Sequence, residues 1–318
     1  MVRRPVTPKL RLGPTLVRAV ATIVGGLTGL GLLGLLWPEP DQAIQPPQRL
    51  TPADLAKPPS RSITLLVIGL DSNLPGDPLN RAAPRGPAQV DALLLVRVNP
   101  EGPLQVLSLP PNLAVQLPGQ KQPQGLGSLY RLGGPALIAD AARNLVGLNS
   151  GQPERYLVLG RATLRSLVNG LGSIAANPTL ALRYDDRSQD FTINLQGGLQ
   201  RLNGNQVEQL VRYRDPARPE ESRQENQQLV VRSLLREMAL PEQIGQLSGL
   251  LKSLNVAVNT NLSQPETLSL LAAGLSHGEA VQFTRVPLAP TAANLPLRQI
   301  ASSAPDPLWP APAPTPAD

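Results

Sequence analysis

Residues 19–36 form an uncharged, mostly apolar run that closes on Trp37. As a helix at 1.5 Å per residue it would span about 27 Å, close to the roughly 30 Å of a hydrocarbon core. Arg3, Arg4, Lys9, Arg11 and Arg18 precede it, and no acidic residue does. Basic residues before the run and a tryptophan after it suit the two membrane interfaces. The positive-inside rule then puts the N-terminus in the cytoplasm and everything after Pro38 outside the membrane. A cleaved signal peptide is the rival reading. Pro38-Glu39-Pro40-Asp41 is a poor cleavage site, and the run exceeds a usual signal-peptide core. The expectation is an uncleaved signal anchor: a single-pass protein of the cell membrane whose C-terminal part is extracytoplasmic (periplasmic).

The rest of the chain must fold without cross-links, because it has no cysteine. Disulfides, thiolate metal sites and cysteine nucleophiles are thereby excluded. A single histidine, His277, argues against a Ser-His-Asp triad or a multi-histidine zinc site. The net charge of +6 resides almost wholly in the first 18 residues, so it does not describe a nucleic-acid-binding body. Of the 318 residues, 36 are proline and 27 glycine, enough to require long linkers. Residues 38–60 read as an extended Pro-rich linker, and 304–318 as a disordered Pro/Ala tail.

Between them lies a mixture of strands and helices. Residues 63–69 (ITLLVIG) predict a buried central strand. Residues 92–98 and 104–109 are apolar runs separated by Asn99-Pro100-Glu101-Gly102-Pro103, which predicts a hairpin. Residues 135–145 predict a helix with Pro135 at its first position and Gly147 past its end. A short strand at 156–159, helices at 163–169, 206–211 and 224–239, a helix from Pro241, one capped by Ser263 and Glu266, and a strand at 281–286 follow. The expected fold is α/β: a three-layer α-β-α sandwich with a central mixed sheet, preceded by one transmembrane helix.

Three polar features stand out. Asp91 opens a strongly apolar strand, where a carboxylate is costly unless it meets solvent, a cation or a metal. An ordinary strand-start aspartate is the blander reading. Arg212-Tyr213-Arg214 would place both guanidiniums on one side if extended, a fork suited to phosphate oxygens. A solvated basic strand edge would look the same. Glu220, Glu221 and Arg223 lead into a helix, where the acids also suit the helix dipole.

The order and spacing of these segments resemble the LytR-CpsA-Psr (LCP) family over roughly residues 62–240. Residues 90–100 (VDALLLVRVNP) resemble its R-S-D-T strand, and Ser108-Leu109-Pro110 its S-I-P-R-D motif. Tyr130, Gly133, Gly134 and Pro135 sit at its Y-x-Y-G-G helix start. Tyr156 and Leu171-Gly172-Ser173-Ile174 match a further segment. The stretch from Leu195 through Arg212-Tyr213-Arg214 resembles its late signature, and Arg223 and Gln227 match its R-x-x-R-Q helix.

The resemblance implies a membrane-anchored phosphotransferase that moves a glycopolymer from a polyprenyl-pyrophosphate carrier to peptidoglycan. Catalysis there is charge neutralisation and positioning. It implies Asp91, Arg212, Arg214 and Arg223 as catalytic residues. Substrate would be bound by Arg212, Arg214, Arg223, Gln227 and Arg85, and Mg²⁺ by Asp91 and Glu220. Its partners would be the lipid-linked glycopolymer, peptidoglycan and the membrane, with no nucleic acid. The implied layout is a cytoplasmic tail (1–18), a signal anchor (19–37), a linker (38–60), the LCP-like domain (61–240), a helical extension with one strand (241–303) and the tail (304–318). Several family positions differ. Pro111 and Asn112 replace Arg and Asp, Gln89 replaces Arg, Gly125 and Gly127 replace Lys and Asn, and Asn226 replaces Arg. Arg81, Arg85 or Lys121 are candidates to restore the lost charge. These departures also motivate an alternative, a non-catalytic protein that binds polyprenyl phosphate or cell-wall glycan. A cytoplasmic part of about 18 residues is too short for a helix-turn-helix, which argues against direct DNA control.

Overall fold

The computed structural model of the chain describes residues 49–81, 85–186, 191–290 and 297–309. The basic tail, the predicted anchor and most of the linker lie outside the described residues, as do residues 310–318. Among the described residues no helix is long and apolar enough to cross a membrane.

Six strands form the central sheet: β1 (Ile63–Leu70), β2 (Val90–Val98), β3 (Gln105–Ser108), β4 (Arg155–Leu159), β5 (Val258–Thr260) and β6 (Gln282–Arg285). Their order is β5-β4-β1-β2-β3-β6. β1/β4 and β3/β6 are parallel, and the other pairs are antiparallel. The hairpin predicted from the Asn-Pro-Glu-Gly-Pro turn is β2–β3. Asn99 closes it, donating from Nδ2 to the Pro103 carbonyl at 2.8 Å. Residues 241–303, expected as an extension, supply both edges of this sheet. β5 pairs with β4 and β6 with β3, so the sheet is complete only with them.

Helices cover both faces, giving two apolar cores. The first lies under α1 (Leu129–Val146), where Leu66, Ile68, Leu93 and Leu95 pack with Ile138 and Ala142. The alternation of β1, with Thr64, Leu66, Ile68 and Leu70 buried, produces this face. The second core is built with α2 (Arg161–Gly170), α3 (Gly204–Arg212), α4 (Pro219–Met238), α5 (Pro241–Leu254) and α6 (Gln264–Ser276). There Val168, Ile174, Val207, Leu210 and Leu247 are buried. On this face Val67, Gly69, Ala92 and Leu94 are only partly covered, because an apolar cavity opens between strands and helices.

Local chemistry explains the element ends. Gly133 and Gly134 interrupt α1 with non-helical backbone, Gly134 at φ 62, so its main part starts at Pro135 as predicted. Gly147 closes it at φ 72. Asn203 caps α3 through a capping box with Gln206. α4 begins at Pro219, earlier than the apolar periodicity indicates, with Glu220 and Glu221 in its first turn. The Arg212-Tyr213-Arg214 stretch is not an extended strand. α3 ends at Arg212, and Tyr213 turns to extended backbone as its C-cap; Arg212 lines the apolar cavity and Arg214 a polar one, so the two arginines face different surroundings.

Candidate active site at the junction of two cavities

Asp91 owes its position to an irregularity in the sheet. Gly69 pairs with Ala92 and Leu70 with Val90, leaving Asp91 as the unpaired residue of a β-bulge. A bulge re-aims the side chain it carries. Asp91 lines two cavities at once.

The polar cavity, of about 310 Å³, holds Asp91, Arg214, Glu220 and Arg223. Arg223 Nη1 lies 3.5 Å and Arg214 Nη2 3.6 Å from Asp91 Oδ1. Arg223 Nη2 is 2.5 Å from Glu220 Oε2, and Arg214 Nη1 is 3.7 Å from Glu220 Oε1. Two carboxylates and two guanidiniums thus form a closed ring. Three of its four contacts exceed hydrogen-bond length, so these N–H groups remain available to a better acceptor. Burial, reinforced by the Arg214 charge, draws Arg223 below the usual arginine value. A net anion entering the cavity would relieve that strain of desolvation.

The second cavity, of about 240 Å³, is apolar. Leu70, Leu94, Leu164 and Val230 are among its walls, and Arg161, Arg212 and Gln227 also line it. Arg212 stacks over the Phe191 ring with its guanidinium carbon 4.0 Å from the centroid, and it reaches Glu208 Oε1 at 3.3 Å. Burial first, opposed by Glu208, places its pKa below the usual value. Gln227 donates from Nε2 to the Asp91 carbonyl at 3.4 Å. A third cavity of about 320 Å³, also apolar, shares Leu159, Leu164 and Leu167 with the second.

Asp91, Arg214, Glu220 and Arg223 therefore meet in one cavity, and Arg212 and Gln227 adjoin it through Asp91. Arg85 does not join them. Neither Arg85, Arg81 nor Lys121 lines either cavity. Arg131 of α1 does line the polar cavity, and the sequence reading missed it. It also missed Glu208, Arg161 and Arg165. Glu208 accepts from Arg161 Nη1 at 2.6 Å and from Arg165. The available signal was an acid on the buried face of α3, four residues before Arg212.

The floor of the polar cavity has lost its side chains. Pro111, Gly125 and Gly127 line it. A Cβ at residue 127 would lie 2.9 Å from the Pro111 Cβ. A side chain at 127 would therefore crowd the Cβ and the carbonyl of residue 111 and the Val90 Cβ, which keeps this part of the floor bare. Asn112 lines the same cavity, and its Oδ1 is buried without a hydrogen-bond partner. The oxygen donors around this space include the carboxylates of Asp91 and Glu220 and Asn112 Oδ1. Among the described residues no cluster of three or more His, Cys, Asp or Glu could hold a metal alone. Mg²⁺ asks for less, one or two carboxylates completed by phosphate and water, and this donor set fits it.

Comparisons with known proteins give the family and the fold. The LytR_cpsA_psr family matches residues 44–301. A polyisoprenyl-teichoic acid–peptidoglycan teichoic acid transferase, TagU of Enterococcus faecalis, is 28% identical over 176 residues, 54% of this chain and 55% of that protein. The regulatory protein MsrR of Staphylococcus aureus is 25% identical over 219 residues, 68% of this chain and 60% of that protein. This chain thus spans little more than half the length of the curated relatives it matches. The crystal structure of Bacillus subtilis TagV superposes with a TM-score of 0.62 at 16% identity, covering 77% of this chain and 93% of that one, which shows a shared fold.

Proposed function

The chain belongs to the LytR_cpsA_psr family, and on that footing we propose that it transfers a glycopolymer from a polyprenyl-pyrophosphate carrier to peptidoglycan outside the cytoplasmic membrane. The single observation that carries this reading is the arginine–carboxylate junction at Asp91, where a polar cavity meets an apolar one. Such a junction matches an amphiphile with a bulky polar glycan, a pyrophosphate and an isoprenoid tail. The uncharged run at 19–36 would tether the domain beside its lipid substrate.

In the reaction, a hydroxyl oxygen of peptidoglycan attacks the glycan-side phosphorus. A phosphodiester bond forms, the phosphoanhydride bond breaks, and polyprenyl monophosphate leaves. The hydroxyl proton passes to a carboxylate at the site and on to water. Arg214 and Arg223 turn from Asp91 and Glu220 towards the phosphate oxygens, and Arg212 holds the leaving phosphate at the mouth of the apolar cavity. Their work is to neutralise charge that grows on the bridging oxygen. Gln227 fixes the Asp91 backbone. Asp91 and Glu220 would hold Mg²⁺, with Asn112 Oδ1 as a neutral oxygen nearby; bound there, the ion would supply further positive charge to the phosphates.

The full chain, incubated with a polyprenyl-pyrophosphate glycan and Mg²⁺, should release polyprenyl monophosphate. Arg212→Ala with Arg214→Ala should lower that release by more than ~100-fold, and EDTA should abolish it. Release unaffected by the paired substitution would overturn the reading. Binding of the lipid without release would support a second reading, a lipid- or glycan-binding envelope protein. The neutral floor of Pro111, Gly125 and Gly127 favours it.

A further inference from the structure

Glu208 gathers three guanidiniums around one carboxylate. Its two oxygens receive Arg161 at 2.6 Å, Arg212 at 3.3 Å and Arg165. Glu208, Arg161 and Arg212 are close to 90% buried, with side-chain exposures of 9%, 11% and 11%. Asp71, whose carboxylate is turned to the Asn80 amide and the Gln89 N–H, adds a more distant negative charge beside Arg161, and Asp91 does so beside Arg212. The geometry that matters for a ligand is where the guanidiniums of Arg161 and Arg212 lie relative to the apolar cavity.

Arg161 and Arg212 share one oxygen of Glu208 and line the same apolar cavity. Arg161 spends its Nε on the Asp71 carbonyl, one N–H on Glu208, and one, at 3.4 Å, on Asn80 Oδ1. A guanidinium has five N–H groups, so two remain for a ligand.

We infer that Arg161 is an anion-binding residue of this site. With Arg212 it forms a guanidinium pair that receives the lipid-side phosphate, while Arg214 and Arg223 receive the glycan-side phosphate across Asp91. Glu208 is the positioning residue that sets the pair. This inference rests on the reading of the preceding subsection and adds a second cation on the apolar side of Asp91. It accounts for two arginine groups on opposite sides of Asp91, one per phosphate.

The test is equilibrium binding of polyprenyl monophosphate and of uncharged polyprenol to the full chain in detergent. Arg161→Ala should weaken monophosphate binding about tenfold or more and leave polyprenol binding within about twofold, because only the phosphate is gripped. Arg161→Lys keeps the charge but not the fork, and should give an intermediate loss for the monophosphate alone. If Arg161→Ala does not fold, Arg161→Lys carries the test. Equal losses for both lipids would show a merely structural role and overturn the inference. So would monophosphate binding unchanged in the Arg161 variants but weakened in Arg212→Ala. If the unaltered chain bound monophosphate no better than polyprenol, the anion site itself, and with it the proposed function, would fall.

Discussion

Glu208 is buried, and burial alone works against its charge; hydrogen bonds from Arg161 and Arg165 outweigh this and hold its carboxyl below the ordinary value. The unfolded chain therefore binds this proton more readily than the folded one. The stability Glu208 contributes is fully present above the unfolded glutamate value of about 4.3, and is lost as the pH falls through the lower folded value. Glu208→Gln should flatten the acid limb of the stability curve. Near neutral pH it should destabilise the fold by about 3–5 kcal/mol, because a buried ion-pair cluster loses the carboxylate at its centre. Urea melts between pH 3 and 7 test both. A second prediction concerns the cavity floor. Gly127→Ala should cost about 1–3 kcal/mol by overpacking against Pro111. Adding Pro111→Gly removes the crowding Cβ and should recover part of it, so a double-mutant cycle should show coupling. Asp91, Arg212, Arg214, Glu220, Arg223 and Gln227 were legible because they sit in ordered local motifs. Arg161 was not, since the partner that gives it meaning lies 47 residues away.

At the scale of elements, what carries periodicity was readable and what depends on pairing was not. β1, the β2–β3 hairpin and the restart of α1 at Pro135 follow from apolar runs and Gly/Pro punctuation. β5 has only three residues, Val-Asn-Thr, too few to show alternation, and exists because β4 offers it an edge. The bulge that aims Asp91 is a property of two strands together. The interruption of α1 is also testable. Gly134 stands at φ 62, a left-handed conformation that costs an L-residue about 1–2 kcal/mol. Gly134→Ala should lower stability by that amount, with a shift of the α1 entry that weakens ligand binding beside Arg131. On the opposite face, α2 separates the two apolar cavities through Leu164 and Leu167. Leu164→Trp should fill this wall and shift preference towards shorter isoprenoid chains, read from competition between lipids of different length.

The whole molecule depends on its C-terminal quarter more than the order of the motifs suggests. β5 and β6 close the sheet, and Trp309, only 2% exposed, stacks on Arg97 of β2 with the guanidinium carbon 4.0 Å from the ring centroid. Trp309→Ala should cost about 3–5 kcal/mol, measured by thermal unfolding, although it lies far along the chain from Asp91. The same architecture builds the candidate site. The sheet presents Asp91 at its edge of order, α3 and α4 bring arginines to either side, and the helices leave an apolar space behind them. The central claim is that this junction joins a glycan to peptidoglycan through a phosphodiester. The most direct measurement is mass spectrometry of peptidoglycan fragments after incubation with the full chain, a polyprenyl-pyrophosphate glycan and Mg²⁺. Fragments carrying the glycan through a phosphodiester, absent with Arg212→Ala/Arg214→Ala, are the predicted result; unmodified fragments with bound, uncleaved lipid would contradict it.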